Sequence, residues 1–216
     1  MAKWRWLVAG AAVLTVVLAA RQVEAQQPEG PTPEPDALAP APEVAELVRS
    51  RLEAERAHLH RVGWWGLVNV VGGAALWASA SQDDADRRAF GMQTAGWGAV
   101  NGAIALAGLR WGGGEPPDAP GAALAAESRY AHILLVNLGL NVGYMGVGTT
   151  LATVSRDGPG WDERRGHGTA VVIQGMGLFL LDLIAYLESR DRLKGFEGIL
   201  DRVEIGPDAS LRLRVP

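Results

Sequence analysis

The sequence Trp65-Gly66-Leu67-Val68-Asn69 recurs as Trp97-Gly98-Ala99-Val100-Asn101, and each copy lies inside an apolar stretch. Two further apolar stretches follow along the chain. The four stretches are residues 62–82, 89–109, 130–155 and 166–187, and Asp182 is the only Asp, Glu, Lys or Arg within them. Charge is thus kept out of four segments of similar length, and this pattern decides the fold.

The lack of charge distinguishes a membrane bundle from a soluble one. A helix of a soluble bundle needs a polar outer face, whereas a helix that faces lipid is apolar all round. Each stretch is long enough to supply the roughly 20 residues that cross a hydrocarbon core of about 30 Å. The connections are short and polar, so neighbouring spans are antiparallel. The sequence predicts an all-α fold, with an up-down four-helix transmembrane bundle at residues 62–187.

Glycines inside these stretches suggest how the helices pack. Gly98-x-x-x-Gly102 and Gly139-x-x-x-Gly143 have the spacing that lets two helix backbones approach closely in a membrane. We therefore expect a tight bundle rather than a wide channel.

The start of the chain is typical of an export signal. Lys3 and Arg5 precede an apolar run at residues 7–20, and Val23-Glu24-Ala25 has small residues where a signal peptidase cuts. We expect a signal peptide at residues 1–25, and an uncleaved signal anchor is the alternative. Residues 26–42 are rich in Pro and Ala and contain no aromatic residue, which predicts a disordered tether.

Two amphipathic segments flank the apolar region. Val44, Leu47 and Val48 recur at helical spacing, so residues 43–61 predict a juxtamembrane amphipathic helix. This helix either lies on the membrane surface or runs straight into the first span; a solvated helix packed on the rest of the domain is the alternative. Residues 188–216 are predicted to form a C-terminal tail, in which a helix to about residue 200 precedes a small hairpin.

Amide and carboxyl side chains stand near the middle of the predicted spans. Because alternate spans run in opposite directions, the offsets of the Asn residues and Asp182 from the span centres point to the same side of the membrane. We expect these side chains to meet at one level, with Gln174 apart from them on the other half. The candidate buried polar cluster is Asn69, Asn101, Asn137, Asn141, Tyr144, Gln174 and Asp182.

This cluster has two interpretations. Interhelical hydrogen bonds between polar side chains hold many membrane bundles together, which makes the cluster a clamp. An ionisable group at that depth is also a candidate for ligand binding or proton transfer, which makes Asp182 the key residue of a site.

The sequence excludes several kinds of chemistry. It has no Cys, only two Lys and a formal net charge of −4, and it lacks a phosphate-binding glycine loop with its lysine. We therefore expect no catalytic residues, no cofactor and no nucleic-acid partner. His58, His60 and His132 fall at the same end of the predicted bundle, but exposed interfacial histidines are far more often plain polar residues than metal ligands, so no metal is expected.

The predicted location is the inner membrane of a bacterium, with several spans and with the N-terminus outside the cytoplasm after signal cleavage. The loops after the first and third spans are then inside. The distribution of Arg and Lys favours the opposite orientation, because more basic residues flank the bundle at its other end.

Several motifs resemble an uncharacterised family of bacterial four-helix membrane proteins of the Bacteroidetes type, a domain of unknown function. They are residues 92–101, Leu140-Asn141-Val142-Gly143-Tyr144, and Gly166-His167-Gly168 with the later Gln174 and Asp182. The family pattern often has Asn in place of Thr94 and Gly98 and Asp in place of Asn141, so this chain has fewer polar residues in its core. The resemblance implies a membrane fold and no particular activity.

The sequence leaves two functions open. The first is a non-enzymatic membrane protein with a structural or interaction role, which binds the lipid bilayer and a protein partner through its tether or its tail. The second is a small transporter or proton-coupled protein that uses the Asn and Asp side chains of the polar cluster.

Overall fold

The computed structural model describes residues 42–112, 116–117, 119–154, 156, 158–200, 203–205 and 211–213. The predicted signal peptide and nearly all of the predicted tether lie outside these residues. Four helices follow one another: α1 (Pro42–Ser79), α2 (Ala85–Trp111), α3 (Pro120–Thr153) and α4 (Trp161–Leu200). Two short strands, β1 (Val203–Ile205) and β2 (Leu211–Leu213), come after them.

All four helices are longer than the apolar stretches that predicted them. Helix α1 has 38 residues without a break, so the amphipathic segment runs straight into the first apolar stretch. It does not lie apart on a membrane surface, because Val44 and Val48 are buried against the other helices. Helix α3 begins at Pro120, ten residues before the predicted start, with the proline in the first turn where its missing N–H has no helical partner to lose.

The helices pack as two antiparallel pairs. Helix α1 packs mainly against α2 and α3 mainly against α4, while α4 also contacts α2 and α1. The start of α1, the start of α3 and the end of α4 extend together at one end of the molecule. Their apolar side chains form a small core of their own there, which we call the cap: Val44, Val48, Ala123, Phe196 and Ile199.

Glycines allow the helices of each pair to touch through their backbones. A Cβ added at Gly66 would lie 2.8 Å from the carbonyl oxygen of Gly98, and one added at Gly73 would lie 2.6 Å from that of Gly91. The two contacts are seven residues apart along each helix, from Gly66 to Gly73 on α1 and from Gly91 to Gly98 on α2. Helices α1 and α2 therefore meet twice, two turns apart. Gly148 of α3 lies equally close to the backbone of α4.

The predicted close approach is right at Gly98 of α2, whereas the added Cβ of Gly102 would meet no heavy atom within 4 Å, and the prediction is wrong for the motif on α3. Gly98 faces α1, and the backbone of Gly102 lies against Gly66. A Cβ added at Gly139 or Gly143 would meet no heavy atom within 4 Å, so these glycines face outward and do not pack on another helix.

Two of the described helices, α3 and α4, are long and apolar enough to cross a membrane by length and composition alone. Their most apolar windows have a mean hydropathy of 1.3 and 2.0, and 28% and 33% of the residues in those windows are buried. The apolar stretches of α1 and α2 also carry no charge, but their mean hydropathy is lower than that of α3 and α4, because they contain more Gly, Trp and Asn.

The two strands form an antiparallel hairpin in which Val203 pairs with Leu213 and Ile205 with Leu211. The alternation of polar and apolar residues on either side of a Gly-Pro-Asp sequence predicted this hairpin, and the prediction is confirmed.

Candidate functional site

The bundle buries polar side chains among its apolar ones and exposes large apolar side chains on its outer surface. Helix α4 directs a row of polar side chains inward at intervals of seven or eight residues: His167, Gln174, Asp182 and Ser189, which are 1%, 1%, 5% and 0% exposed. Large apolar side chains point outward from the same region of the helices. Those at least half exposed include Trp64, Leu67, Val68, Val71, Leu106, Val136, Val142 and Leu180.

The first cluster along this row surrounds Asp182. Asn141 of α3 donates a hydrogen bond from Nδ2 to Asp182 Oδ2 at 2.7 Å. His58 of α1 places Nε2 3.2 Å from Asp182 Oδ1. All three side chains are buried, so the carboxyl of α4 is held from both sides by α1 and α3. We call this the Asp182 cluster.

The second cluster is a closed ring of hydrogen bonds around Gln174. The indole of Trp65 donates to Gln174 Oε1 at 3.0 Å, and Gln174 Nε2 donates to Asn69 Oδ1 at 2.5 Å. Asn69 Nδ2 in turn donates to the carbonyl oxygen of Trp65 at 2.6 Å. Each amide therefore both donates and accepts within the ring, which joins α1 to α4. We call this the Gln174 ring.

The remaining predicted residues lie outside both groups. Asn101 is 4% exposed, and its Nδ2 has no hydrogen-bond partner among the described residues. Asn137 is half-buried, and so is Tyr144, whose ring meets Trp97 edge to face at a centroid distance of 5.1 Å. The expected single level is therefore divided: Asn141 meets Asp182, whereas Asn69 meets Gln174, the residue expected to stand apart.

Sequence reasoning missed the basic partner of Asp182. No Lys, Arg or other charge accompanies Asp182 within the apolar stretches, but His58 precedes the first stretch by four residues and reaches Asp182 because α1 continues unbroken. His60 and His132 are exposed on other faces, so the three histidines do not gather. Among the described residues, no group of three His, Cys, Asp or Glu is placed to hold a metal ion.

A charged cluster between the bundle and the cap was also missed. Glu127 of α3 is 0% exposed and accepts hydrogen bonds from Arg192 Nε and NH2, both at 3.1 Å, and from the hydroxyl of Ser189. A bidentate Arg and a hydroxyl satisfy both carboxylate oxygens, which is the arrangement that makes a buried charge tolerable. The spacing of Ser189 and Arg192 by three residues on one helix face is the signal that was available in the sequence.

The other end of the bundle carries a more exposed set of contacts. Arg165 of α4 makes a bidentate pair with Asp86 of α2, at 3.2 and 2.9 Å, and stacks over Trp161 at 4.4 Å. The hydrogen bonds that the Arg165 guanidinium donates to this carboxylate raise the pKa of Arg165. His167 lies nearby with Nδ1 3.0 Å from Gln93 Oε1. These contacts join α2 to α4.

The chemistry available to these groups differs. The Gln174 ring contains only amides and an indole, which neither gain nor lose protons near neutral pH, so it offers hydrogen bonds but no proton transfer. The Asp182 cluster joins a carboxyl to an imidazole, and such a pair can also take up or release a proton. The Asp182 cluster is therefore the candidate functional site.

Comparison with known proteins places the chain in a family without assigning an activity. Residues 61–183 match the model of a family of unknown function, DUF6992. The match covers more than half of the 216 residues and contains the Gln174 ring, Asn141 and Asp182, but not His58. No curated protein and no solved structure matches the chain significantly.

Proposed function

We propose that this chain, which belongs to the DUF6992 family, is a multi-pass membrane protein whose four helices all cross the bilayer and whose role is structural or interactive rather than enzymatic. The observation that carries the proposal is the exposed apolar surface of the bundle together with its buried polar side chains. Among the described residues, eleven polar or charged side chains are buried beside sixteen apolar ones, while large apolar side chains on all four helices are exposed. Water favours the opposite arrangement, whereas lipid favours this one.

The apolar windows of α3 and α4 support the same proposal. The core helix of a soluble protein would be mostly buried, but 28% and 33% of these windows are buried. Helix α1 exposes Trp64, Val68 and Val71 by 61–66% within a stretch that carries no charge, so we assign it to the bilayer as well. The cap and the charged Glu127–Arg192 pair next to it are then outside the hydrocarbon region, at one surface of the membrane.

The proposed role of the buried polar groups is to fix helix positions. Apolar side chains give lipid-embedded helices no preferred partner, because lipid tails are equally apolar. Hydrogen bonds between Asp182 and Asn141, and between Gln174 and Asn69, are specific to one arrangement of α1, α3 and α4. A bundle fixed in this way can present the cap and the C-terminal hairpin to a protein partner.

Asp182→Asn is the substitution that tests this role. An asparagine keeps an oxygen and a donor for Asn141 and His58, so we expect the free energy of unfolding in detergent to change by less than about 1.5 kcal/mol. Asp182→Leu leaves both partners without hydrogen bonds and is expected to cost more, about 1–3 kcal/mol for each buried group left unsatisfied. Thermal unfolding followed by circular dichroism measures both changes.

A second candidate function, a small proton-coupled transporter, is favoured by the His58–Asp182 contact, since an imidazole and a carboxyl lie 3.2 Å apart and both side chains are buried. Proteoliposomes containing the wild type are expected to show no proton or solute flux. Flux that Asp182→Asn abolishes at unchanged stability would replace the structural role with transport.

The orientation in the membrane can be read by cysteine labelling, because the chain contains no natural Cys. We propose that the loop between α1 and α2 is cytoplasmic and the cap is outside. A membrane-impermeant maleimide should then label Glu197→Cys in intact spheroplasts, whereas Asp83→Cys should react only after permeabilisation. Both side chains are exposed, so access to reagent depends on the side of the membrane. The opposite labelling would show that the Arg distribution determines orientation.

A further inference from the structure

A hollow of about 240 Å³ opens at the end of the bundle that carries the α1–α2 loop. It lies between the end of α1, the start of α2 and the start of α4. Trp77 and Met92, each 47% exposed, line one part of it, and the buried Ala89 belongs to its wall. Arg88 and Glu163 line the same hollow from α2 and α4. An apolar surface and two opposite charges thus share one recess.

The two charges do not neutralise each other. Arg88 and Glu163 make no ion pair with one another, and among the described residues the guanidinium of Arg88 has no hydrogen-bond or ion-pair partner. The neighbouring arginines differ, because Arg87 donates to Ser79 and Arg165 binds Asp86. Glu163 lies 3.9 Å from His167 Nε2 and is 62% exposed, so one side of its carboxylate is open to the hollow.

We propose that this hollow binds a phospholipid whose headgroup carries a primary ammonium, such as phosphatidylethanolamine. Arg88 binds the phosphate, Glu163 accepts hydrogen bonds from the ammonium, and the acyl chains lie along Trp77 and Met92. The inference rests on the proposed function, since it requires this end of the bundle to stand at a membrane surface. There, an indole such as Trp77 has its preferred depth, and a headgroup is at the level of the two charges.

The charge pattern selects this lipid class over others. A phosphate and an ammonium in one headgroup complement Arg88 and Glu163 together, whereas an anionic headgroup such as phosphatidylglycerol satisfies Arg88 only and is repelled by Glu163. Phosphatidylcholine offers the same net charge as phosphatidylethanolamine, but its quaternary ammonium has no N–H to donate to a carboxylate. Glu163 is therefore the specificity residue and Arg88 the general anchor.

Native mass spectrometry of the purified full chain in detergent tests the proposal. The micelles are titrated with phosphatidylethanolamine, phosphatidylcholine and phosphatidylglycerol that have the same acyl chains. We expect the wild type to bind phosphatidylethanolamine about fivefold more tightly than either other lipid, the size of one favourable hydrogen bond between the ammonium and Glu163. Glu163→Gln should remove this preference and keep phosphatidylcholine binding. Arg88→Gln should weaken binding of all three.

Arg156→Gln is the matched control. Arg156 is exposed at the same end of the bundle but does not line the hollow, so this variant should keep the wild-type preference. Equal binding of the three lipids by the wild type, or an unchanged preference in Glu163→Gln, would overturn the proposal. Carbonate washing of membranes distinguishes failure of the lipid site from failure of the proposed membrane location. Release of the chain by carbonate contradicts the membrane location, whereas a retained chain without lipid preference contradicts only the lipid site.

Discussion

Replacing Gly98 by alanine is expected to lower the free energy of unfolding by about 1–3 kcal/mol, the usual cost of overfilling a packed contact. A Cβ at residue 98 would lie 2.6 Å from the carbonyl oxygen of Gly66 and 2.6 Å from the backbone nitrogen of Val70. Both are backbone atoms, which cannot rotate away as a side chain can. Helices α1 and α2 would have to separate, and the second contact at Gly73 and Gly91 would loosen with the first.

Gly143→Ala on α3 is the matched control for this substitution. It adds the same methyl group to a helix, but no heavy atom lies within 4 Å of the new Cβ. Removing a glycine from a helix interior stabilises it by about 0.5–1 kcal/mol, so this variant should be as stable as the wild type or more stable. Thermal unfolding of both proteins in the same detergent, followed by circular dichroism, measures the difference. Equal shifts would show that the α1–α2 backbone contact does not limit stability.

The sequence predicted the number and order of the helices because charge is absent from four separate stretches. It predicted their ends less well. The apolar stretch of α3 begins at Tyr130, because Glu127 and Arg129 carry charge, yet the helix begins at Pro120. A lack of charge marks the apolar part of a helix, but it says nothing about where the helix continues into the cap.

The glycine motifs show a second limit of sequence reasoning. The same spacing occurs at Gly98 and Gly102 and at Gly139 and Gly143, but of these four glycines only Gly98 has a Cβ position that faces another helix. Both close packing and a lipid-facing surface accept glycine in a membrane helix, so spacing alone does not separate them. The heptad spacing of Gly66 to Gly73, matched by Gly91 to Gly98, is the more informative signal, because it repeats on two consecutive helices.

The sequence predicted most of the residues of the candidate site, but it did not predict which of them form hydrogen bonds with each other. Depth along each span brought Asn69, Asn141 and Asp182 to one level, but depth does not specify which face of a helix a side chain occupies. Asn69 turns toward Gln174 and Asn141 toward Asp182, so two clusters form instead of one. His58 was missed because it lies outside the apolar stretches, where a histidine is most simply interpreted as a surface residue.

The polar row of α4 connects these clusters to the cap. Gln174, Asp182 and Ser189 contact α1 and α3 at successive levels, so every level of α4 has a specific polar partner on another helix. Helix α4 also packs against all three other helices. These contacts thus fix how far α4 is shifted along its neighbours. The contact at Ser189 is the most sensitive to substitution, because it includes the charged Glu127 and Arg192.

Arg192→Met is expected to lower the free energy of unfolding by about 3–5 kcal/mol, the largest effect of any substitution considered for this chain. Glu127 is 0% exposed and receives two hydrogen bonds from the Arg192 guanidinium at 3.1 Å, so the variant leaves a buried carboxylate with Ser189 as its remaining partner. Lys194→Met is the control on the same helix. Lys194 pairs with Asp191 at 2.8 Å, but the two side chains are 65% and 75% exposed, and water replaces the lost contact at little cost.

The double substitution Glu127→Met with Arg192→Met separates the cost of an unpaired charge from the value of the pair. Two methionines of similar length fill the space without charge, and Ser189 can donate to a backbone carbonyl of its own helix instead. We expect the double variant to be more stable than Arg192→Met alone, because replacing both members of a buried ion pair is often neutral, whereas removing one member leaves its partner's charge uncompensated. Chemical or thermal unfolding of the four proteins gives the coupling free energy directly. A double variant that loses as much stability as the sum of its single substitutions would mean that Glu127 and Arg192 act independently.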